Sequence, residues 1–283
     1  MDKGTVGVVG AGTMGRGIAQ VAAAVGYDVI LNDTTSELVD RSLERLRQDL
    51  SRLVDKGRME GAVRDALLSR VRGSVDLRDM SAADIVVEAI YEDLDAKKKL
   101  FAALDEYCGP DVILGSNSSS LSILDLAMAT KRPEKVVGIH FFNPVPLMKG
   151  VELVCTIMTS FQTLEYARQF SVSLGKETWV AKDAPGFLST RLLIPYLLDA
   201  MRLLESGFAT KEDIDACCVL SFNYPMGPLT LSDLIGLDVL LNISNGMYAS
   251  FKDPKFAAPI LLEKKVKAGQ LGRKSGKGFY DYT

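Results

Sequence analysis

The sequence predicts an α/β domain built on a mostly parallel sheet, followed by an all-α C-terminal domain. Short β-branched runs alternate with helical patterns as far as about Lys182, which is typical of βαβ units. Beyond Ala184-Pro185-Gly186 only helical patterns continue. We therefore expect a first domain over residues 1–184 and a second domain over residues 185–283.

Seven strands are predicted in the first domain, each a short apolar or β-branched run. Between the second and third strands, residues 36–71 form a long charged segment whose leucines recur at helical spacing. This segment predicts a helical hairpin, broken at Gly57 and Gly61, that projects from the sheet. The predicted strands are Thr5–Val9, Asp28–Asn32, Asp84–Ala89, Val112–Leu114, Val136–Phe142, Val151–Thr156 and Thr178–Val180.

Four helices are predicted in the second domain. The first carries an apolar face made of Leu188, Leu192, Leu193, Tyr196, Leu197, Ala200 and Leu204. The apolar residues between Leu229 and Leu241 exceed what a small domain readily buries, so we expect a homodimer through this domain. The predicted helices are Phe187–Gly207, Thr210–Leu220, Leu229–Ser250 and Ala258–Ala268.

Composition excludes several classes of protein. Among the 283 residues, 47% are hydrophobic and 24% are charged, which is typical of globular proteins, and the net charge of −3 is not concentrated in any block. Neither nucleic acid nor a membrane is therefore expected as a partner. The first strand begins almost at Met1, which leaves no room for a signal peptide. The four cysteines lack CxxC spacing and the chain has one histidine, so we expect reduced thiols, no metal site and a cytoplasmic location.

A glycine motif follows the first strand. Gly10-Ala11-Gly12-Thr13-Met14-Gly15 fits GxGxxG at the start of a helical pattern. Gly10 permits the tight turn, Gly12 lets the backbone approach a pyrophosphate, and Gly15 allows close helix–strand packing. The pyrophosphate would then lie at the helix N-terminus, contacting the backbone near Thr13 and Met14.

The second strand ends at Asp33, 18 residues after Gly15 by sequence number. A carboxylate at this place accepts hydrogen bonds from the ribose hydroxyls and repels a 2′-phosphate. No arginine follows until Arg41, which favours NAD over NADP. A glycine turn alone may serve packing, but together with Asp33 it predicts a Rossmann-type, NAD-binding domain.

Three further segments reach the edge of the sheet where its parallel strands have their carboxyl ends. They are Glu88–Glu92, the polar run Gly115–Ser120, and His140 at the end of its strand. Ligands of open α/β sheets bind outside this edge, so we expect these segments to surround the reactive end of the dinucleotide.

His140 has a predicted carboxylate partner. If the strands on either side of Pro146 pair antiparallel, residues whose numbers sum to 292 lie opposite one another, which places Glu152 opposite His140. A carboxylate on one imidazole nitrogen fixes the tautomer and leaves the other nitrogen for substrate. Plainer interpretations stay open: His140 as a core imidazole, Glu152 as a solvated strand residue, and Asn117 to Ser120 as the cap of a helix beginning near Leu121.

Five motifs together resemble the L-3-hydroxyacyl-CoA dehydrogenase family. The C-terminal run Gly272–Tyr280 is similar to the form seen in bacterial 3-hydroxybutyryl-CoA dehydrogenases, so the resemblance spans the chain. The five motifs are Gly10–Gly15, Ser116–Ser120, His140–Pro144, Asp183–Phe187 and Pro225–Pro228.

The resemblance implies roles for the residues singled out above. His140 takes the proton of the 3-hydroxyl while the C3 hydride moves to the nicotinamide, and Glu152 orients His140. Ser119 hydrogen-bonds the reacting oxygen, and Asn143 lies beside substrate and nicotinamide. The implied cofactor contacts, beyond the glycine motif, are Asp33, Glu92, Lys97, Asn117, Ser119, Asn143 and Lys274.

The resemblance also implies where the CoA portion of the substrate lies. In the family a lysine late in the helical hairpin meets the 3′-phosphate region of CoA, and Lys56 occupies that position, with Arg52 and Arg58 adding positive charge. An equally simple interpretation is that these residues form a solvated basic face.

One residue departs from the family pattern. An asparagine ordinarily precedes the arginine after Pro-Gly-Phe and helps to hold the substrate oxygen, whereas this chain has Thr190 before Arg191. A lost catalytic donor costs about 2.7–4 kcal/mol, of which the threonine hydroxyl can recover a part. We therefore predict an altered acyl pocket or a slower enzyme.

The sequence is also compatible with two other functions. One is oxidation of a free hydroxy acid on the same fold, which Lys56 would not serve. The other is a dinucleotide-binding protein without catalysis, which Thr190 alone supports.

Overall fold

The computed structural model describes residues 3–282, and the chain divides into two compact units, one ending at Ala184 and the other beginning at Pro185. The first unit contains an eight-stranded sheet with the strand order β3-β2-β1-β4-β5-β6-β7-β8. Strands β1 to β6 run parallel, β7 pairs antiparallel with β6, and β8 pairs parallel with β7. The strands are β1 (Thr5–Val9), β2 (Asp28–Asn32), β3 (Val71–Ser74), β4 (Ile85–Glu88), β5 (Ile113–Ser116), β6 (Val136–Phe141), β7 (Gly150–Cys155) and β8 (Glu177–Lys182).

This order confirms the predicted Rossmann-type sheet, because strands β1 to β6 follow the 3-2-1-4-5-6 arrangement of dinucleotide-binding folds. The seven predicted strands are present, the first two with the predicted bounds. Strand β3 was not predicted. Its two central residues, Arg72 and Gly73, are exposed, so the segment lacks the apolar run that marks the other strands.

Six helices connect these strands. The predicted hairpin consists of α2 and α3, with Gly57 at a positive φ between them and Gly61 as the first residue of α3. The hairpin packs against the rest of the unit through Leu46, Leu50 and Leu67, which are buried in its core. The helices are α1 (Thr13–Ala24), α2 (Ser36–Asp55), α3 (Gly61–Ser69), α4 (Leu94–Tyr107), α5 (Ile123–Ala127) and α6 (Phe161–Ser173).

The second unit is helical, as predicted. Its helices are α7 (Ser189–Glu205), α8 (Lys211–Phe222), α9 (Pro228–Ile235), α10 (Leu237–Phe251) and α11 (Ile260–Lys267). The single helix predicted over Leu229–Ser250 is divided into α9 and α10 at Gly236, whose φ of +106° no ordinary helical residue adopts.

The buried face of α7 agrees with most of the predicted apolar face. Leu197 and Ala200 are buried, and Leu193, Tyr196 and Leu204 pack against the core. Leu192, in contrast, is 67% exposed, and the core also includes Ile194, Leu198 and Met201, which were not predicted. Apolar residues occupy more than one side of this helix, so periodicity alone did not select the face.

The apolar residues of α9 and α10 are covered to different extents. Leu229, Leu237 and Leu240 are buried in the unit's own core, others are only partly buried against it, and Leu234 is 50% exposed.

Two buried aspartates organise the second unit. Asp215 of α8 accepts hydrogen bonds from the backbone N–H groups of Leu229 and Thr230 at the start of α9. Asp233 of α9 accepts from the N–H groups of Phe279 and Tyr280, which fixes the C-terminal run. Across residues 3–282, no helix combines the length and the hydrophobicity that crossing a membrane requires.

Candidate active site

The turn between β1 and α1 forms a phosphate cradle. Gly10 has a φ of +106°, and a Cβ there would collide with the backbone of Ala89. A Cβ on Gly15 would collide with the carbonyl oxygen of Gly10, so the close approach of α1 to β1 requires glycine. A Cβ on Gly12 would meet no atom, and this residue lines the cleft directly. The cleft beside Gly12 is thus open to a pyrophosphate.

A cavity of about 600 Å³ extends from this cradle over the ends of β1 and β2. Asp33 lies at its rim, held by hydrogen bonds from the N–H groups of Ala11 (2.7 Å) and Thr34 (2.7 Å). Its remaining walls are mostly apolar, as a bound adenosine requires. They include Leu38, Val75, Leu77, Ile90 and Leu100.

A second cavity of about 330 Å³ lies over the ends of β4, β5 and β6. It brings together most of the residues predicted for the reactive end of the dinucleotide. Met14 of α1 contributes to its wall and links it to the cradle. The predicted residues lining it are Met14, Glu92, Lys97, Asn117, Ser119, His140 and Asn143.

His140 and Glu152 form a buried pair across β6 and β7. The register places His140 opposite Glu152, which confirms the predicted pairing. The imidazole Nδ1 lies 3.1 Å from Glu152 Oε2, and the carboxylate side chain is fully buried. The ring packs against Phe142 at a centroid distance of 4.6 Å. A carboxylate held at Nδ1 keeps that nitrogen protonated and directs Nε2 to other partners.

Lys97 lies in a buried network with two carboxylates. Its ammonium Nζ is 2.9 Å from Glu88 Oε1 and 2.9 Å from Glu92 Oε2, and its side chain is 1% exposed. Glu88 is fully buried and also accepts a 2.6 Å hydrogen bond from the hydroxyl of Ser116. Since two carboxylates face one ammonium, the group carries a net charge of −1.

Glu92 is the centre of the polar run after β5. Its Oε1 accepts hydrogen bonds from the hydroxyl of Ser118 (2.5 Å) and from the backbone N–H groups of Ser119 (3.1 Å) and Ser120 (3.2 Å). Burial alone would raise the pKa of Glu92, but the charge of Lys97 and these hydrogen bonds outweigh burial and lower it. Glu92 therefore stays ionised and positions Ser119 at the cavity.

The alternative role of this run as a helix cap is wrong for Ser119. Helix α5 begins at Ile123, and its cap is Ser122, whose hydroxyl accepts from the N–H of Asp125. The carboxylate of Asp183 accepts from the N–H groups of Ile123 and Leu124. The start of α5 is therefore satisfied without the side chain of Ser119.

Hydrogen bonds with Asn117 and Lys176 hold the end of β6 and the loop that follows it. Asn117 Oδ1 accepts from the N–H of Phe141 at 2.9 Å, which joins the ends of β5 and β6. Lys176 is buried, and its ammonium donates to the carbonyl oxygens of Val145 (2.6 Å) and Met148 (2.8 Å). Burial lowers the pKa of Lys176. These contacts hold the loop that carries Asn143.

Three predicted site residues are not among those that line the two cavities of the first unit. Lys56 is exposed at the C-terminal cap of α2. Thr190 is half-buried in the first turn of α7, within the second unit. Lys274, in the same unit, pairs with Asp238 at 2.5 Å and lowers the pKa of that carboxyl. The roles predicted for these residues stay predictions.

Two buried residues, Glu88 and Lys176, were not among the individually predicted site residues, although Glu88 begins the segment Glu88–Glu92 that was expected at this edge of the sheet. Glu88 has a visible signal, since it is a carboxylate at the end of an otherwise apolar parallel strand. Lys176 has none, because its loop partners are backbone carbonyls. Arg41, although distant from Asp33 in sequence, lines a small cavity that Asp33 also lines.

The fold and the site define a dinucleotide-binding oxidoreductase with a histidine–carboxylate pair. Residues 5–184 match the family model of the 3-hydroxyacyl-CoA dehydrogenase NAD binding domain, and residues 186–282 match that of the C-terminal domain. The chain belongs to the 3-hydroxyacyl-CoA dehydrogenase family, and it is an NAD-dependent enzyme of this family.

Known proteins are similar to this chain in sequence and in structure over nearly its full length. The 3-hydroxybutyryl-CoA dehydrogenase of Clostridioides difficile is 46% identical over 276 residues, which is 98% of each chain. The crystal structure of (S)-3-hydroxybutyryl-CoA dehydrogenase PaaH1 from Ralstonia eutropha has a TM-score of 0.96 at 42% identity and 99% coverage of both chains. The crystal structure of FadB2 from M. tuberculosis has a TM-score of 0.94 at 45% identity and 98% coverage of both.

Proposed function

We propose that the protein oxidises the 3-hydroxyl of a short 3-hydroxyacyl-CoA, such as 3-hydroxybutyryl-CoA, with NAD, and catalyses the reverse reduction. The observation that supports this most directly is the His140–Glu152 pair beside the second cavity. Relatives named 3-hydroxybutyryl-CoA dehydrogenase, similar over nearly the whole chain, support the choice of substrate.

The residues of the first unit suit NAD. Gly12 leaves space at the cradle, Asp33 offers acceptors to the ribose, and the second cavity suits the nicotinamide. When bound, NAD supplies the hydride acceptor. Glu92 and Lys97 then orient the cofactor's reactive end, and Asn143 lies beside it.

His140 is the proposed base. Because Glu152 engages Nδ1, the lone pair of Nε2 takes the hydroxyl proton as the C3 hydride leaves, giving a 3-oxoacyl-CoA, NADH and an imidazolium. Glu152 stabilises that imidazolium as its counter-ion. Ser119 donates a hydrogen bond to the reacting oxygen, and its backbone is held by Glu92. Thr190 supplies its hydroxyl where the family has an asparagine amide.

Two assays test this assignment. NADH formation with 3-hydroxybutyryl-CoA is expected in the wild type and is expected to fall by orders of magnitude in His140→Ala, with NAD binding retained. A wild type that forms no NADH with any acyl-CoA tried would leave only a dinucleotide-binding role.

Lys56 distinguishes a CoA thioester from a free hydroxy acid. Its exposed ammonium lies at the end of α2, so Lys56→Ala is expected to raise the KM for the thioester with little change in kcat. Lys99→Ala, which removes another exposed lysine from α4, serves as the control. An unchanged KM in Lys56→Ala removes this contact from the proposal.

We further propose a homodimer formed through the second unit and a cytoplasmic location. Exposed apolar side chains on α7, α8 and α9, among them Leu192, Phe222 and Leu234, support the dimer, and a mostly apolar cavity of about 520 Å³ lies among these helices. Four unpaired cysteines are consistent with a reducing compartment. Light scattering is expected to show a dimer that Leu192→Glu dissociates and Ile157→Glu does not; a monomeric wild type would refute it.

A further inference from the structure

Three aromatic rings lie in a row beside the His140–Glu152 pair. The ring of His140 packs against that of Phe142, with 4.6 Å between the centroids and an angle of 48° between the planes. Phe142 in turn stacks with Trp179 of β8, at a centroid distance of 5.8 Å and an angle of 27°. His140 and Phe142 both line the second cavity, so the row leads from that cavity to the edge strand of the sheet.

The register of the sheet brings these residues together. Glu152 of β7 lies opposite His140 of β6 on one side and opposite Trp179 of β8 on the other. Gly150 precedes Glu152 by two residues and therefore lies on the same face of β7. A Cβ on Gly150 would lie 2.7 Å from atoms of the indole ring. The indole of Trp179 thus occupies the space that a side chain at position 150 would fill.

The row restricts the orientation of the imidazole. The hydrogen bond to Glu152 holds Nδ1 of His140, and contact with a second ring restricts the tilt of the imidazole plane. Phe142 supplies this contact, but it follows the last residue of β6 and lies outside the hydrogen-bonded ladder of that strand. Stacking with Trp179 ties Phe142 to β8, which does belong to the sheet.

We infer that Trp179 is a positioning residue for the reaction. It holds Phe142, and Phe142 holds the imidazole of His140 at the angle from which Nε2 meets the substrate hydroxyl. This inference rests on the proposed function, because it takes His140 as the base. A catalytic group misplaced by about 1 Å can lose about a hundredfold in rate, so a partial loss of orientation is expected to cost about tenfold.

The kinetics of NADH formation from 3-hydroxybutyryl-CoA provide the first test. Trp179→Leu keeps an apolar side chain but removes the ring, and it is expected to lower kcat about tenfold with the Kd for NAD nearly unchanged. Trp179→Phe keeps a ring and is expected to recover most of this loss. Tyr27→Leu is the matched control, because it removes a ring that packs against Phe170 at 5.7 Å, next to the amino end of β2. It is expected to keep the wild-type kcat.

The second test does not depend on turnover. The chain has one histidine, so NMR of protein with isotope-labelled histidine gives one imidazole signal, which is sensitive to the rings beside His140. Trp179→Leu is expected to shift this signal, whereas Trp179→Phe and Tyr27→Leu are expected to leave it close to its wild-type position. Gly150→Ala displaces the indole without removing it, so it is expected to shift the signal too and replaces Trp179→Leu if that variant does not fold.

The inference requires both a lower kcat and a shifted His140 signal in Trp179→Leu, or in Gly150→Ala in its place. A wild-type kcat, an unmoved signal, or an equal loss of kcat in Tyr27→Leu would overturn it. A wild type that forms no NADH would refute the proposed function, whereas the His140 signal would still show whether Trp179 holds the imidazole.

Discussion

Replacing Glu152 by glutamine tests the charge of the His140–Glu152 pair with little change in shape. The carboxylate is fully buried, and its Oε2 lies 3.1 Å from Nδ1 of His140. Glutamine retains an oxygen that can accept the Nδ1–H, but it removes the negative charge. The substitution therefore isolates the stabilisation of the imidazolium that forms during oxidation.

The magnitude follows from the geometry. Opposite unit charges about 4 Å apart attract by about 4 kcal/mol at an effective dielectric constant near 20. The glutamine retains a neutral hydrogen bond worth about 1 kcal/mol. The transition state thus loses about 3 kcal/mol, which corresponds to a fall in rate of about two orders of magnitude.

This loss is expected in kcat rather than in KM, because the proposed base gains its positive charge only as it accepts the hydroxyl proton, and not when the substrate binds. Steady-state rates of NADH formation and direct titration with NAD measure the two effects separately. Glu177→Gln, which removes an exposed carboxylate from the start of β8, is the control and is expected to keep the wild-type kcat.

Two outcomes would refute this reasoning. A folded Glu152→Gln variant whose kcat falls by less than about threefold would show that the carboxylate does not stabilise the transition state. A variant with a raised KM and an unchanged kcat would assign Glu152 to uniform substrate binding. If the glutamine variant fails to fold, Glu152→Asp keeps the charge and is expected to retain more activity than Glu152→Ala.

Three further predictions follow from the same structure. Glu88→Gln makes the Lys97 network neutral. Because only the oxidised nicotinamide is cationic, the ratio of the Kd for NAD⁺ to the Kd for NADH is expected to rise several-fold. Fluorescence titration measures both Kd values, and an unchanged ratio would show that the charge of the network does not act on the cofactor. Thr190→Asn is expected to raise kcat/KM for 3-hydroxybutyryl-CoA by about tenfold if the missing amide limits this enzyme, and no gain would mean that the hydroxyl suffices. Burial raises the pKa of Cys108 to about 11, so its thiol stays protonated at about pH 8. Iodoacetamide is therefore expected to label the exposed Cys217 well before Cys108. Mass spectrometry that finds Cys108 labelled first in the folded protein would contradict this prediction.

The sequence was most informative where one local rule controls the result. The glycine turn, the first two strands and the pairing of His140 with Glu152 each follow from spacing that permits few alternatives. A slip of one residue in the register of β6 and β7 would place Glu152 on the opposite face of the sheet, because the side-chain period of a strand is two.

The sequence was least informative where tertiary packing makes the choice. The buried face of α7 was predicted only in part, because apolar residues surround more than one side of this helix and the neighbouring helices decide which of them are covered. Lys176 gave no signal, since a lysine held by backbone carbonyls looks like any surface lysine until the loop is folded over it.

Arg41 shows how a residue that is distant from Asp33 in sequence can lie close to it in the structure. In the sequence, no arginine directly follows Asp33, which favours NAD, and the carboxylate of Asp33 suits the ribose of NAD. Helix α2, however, begins at Ser36 and returns alongside α1, so residues one and two turns into it lie beside the same ribose site. The charge near a ribose must therefore be counted over the whole helix that follows the second strand, and not only over the residues next to Asp33 at the end of that strand. Counted in this way, Arg41 and Arg45 are close to Asp33, because all three line the same small cavity.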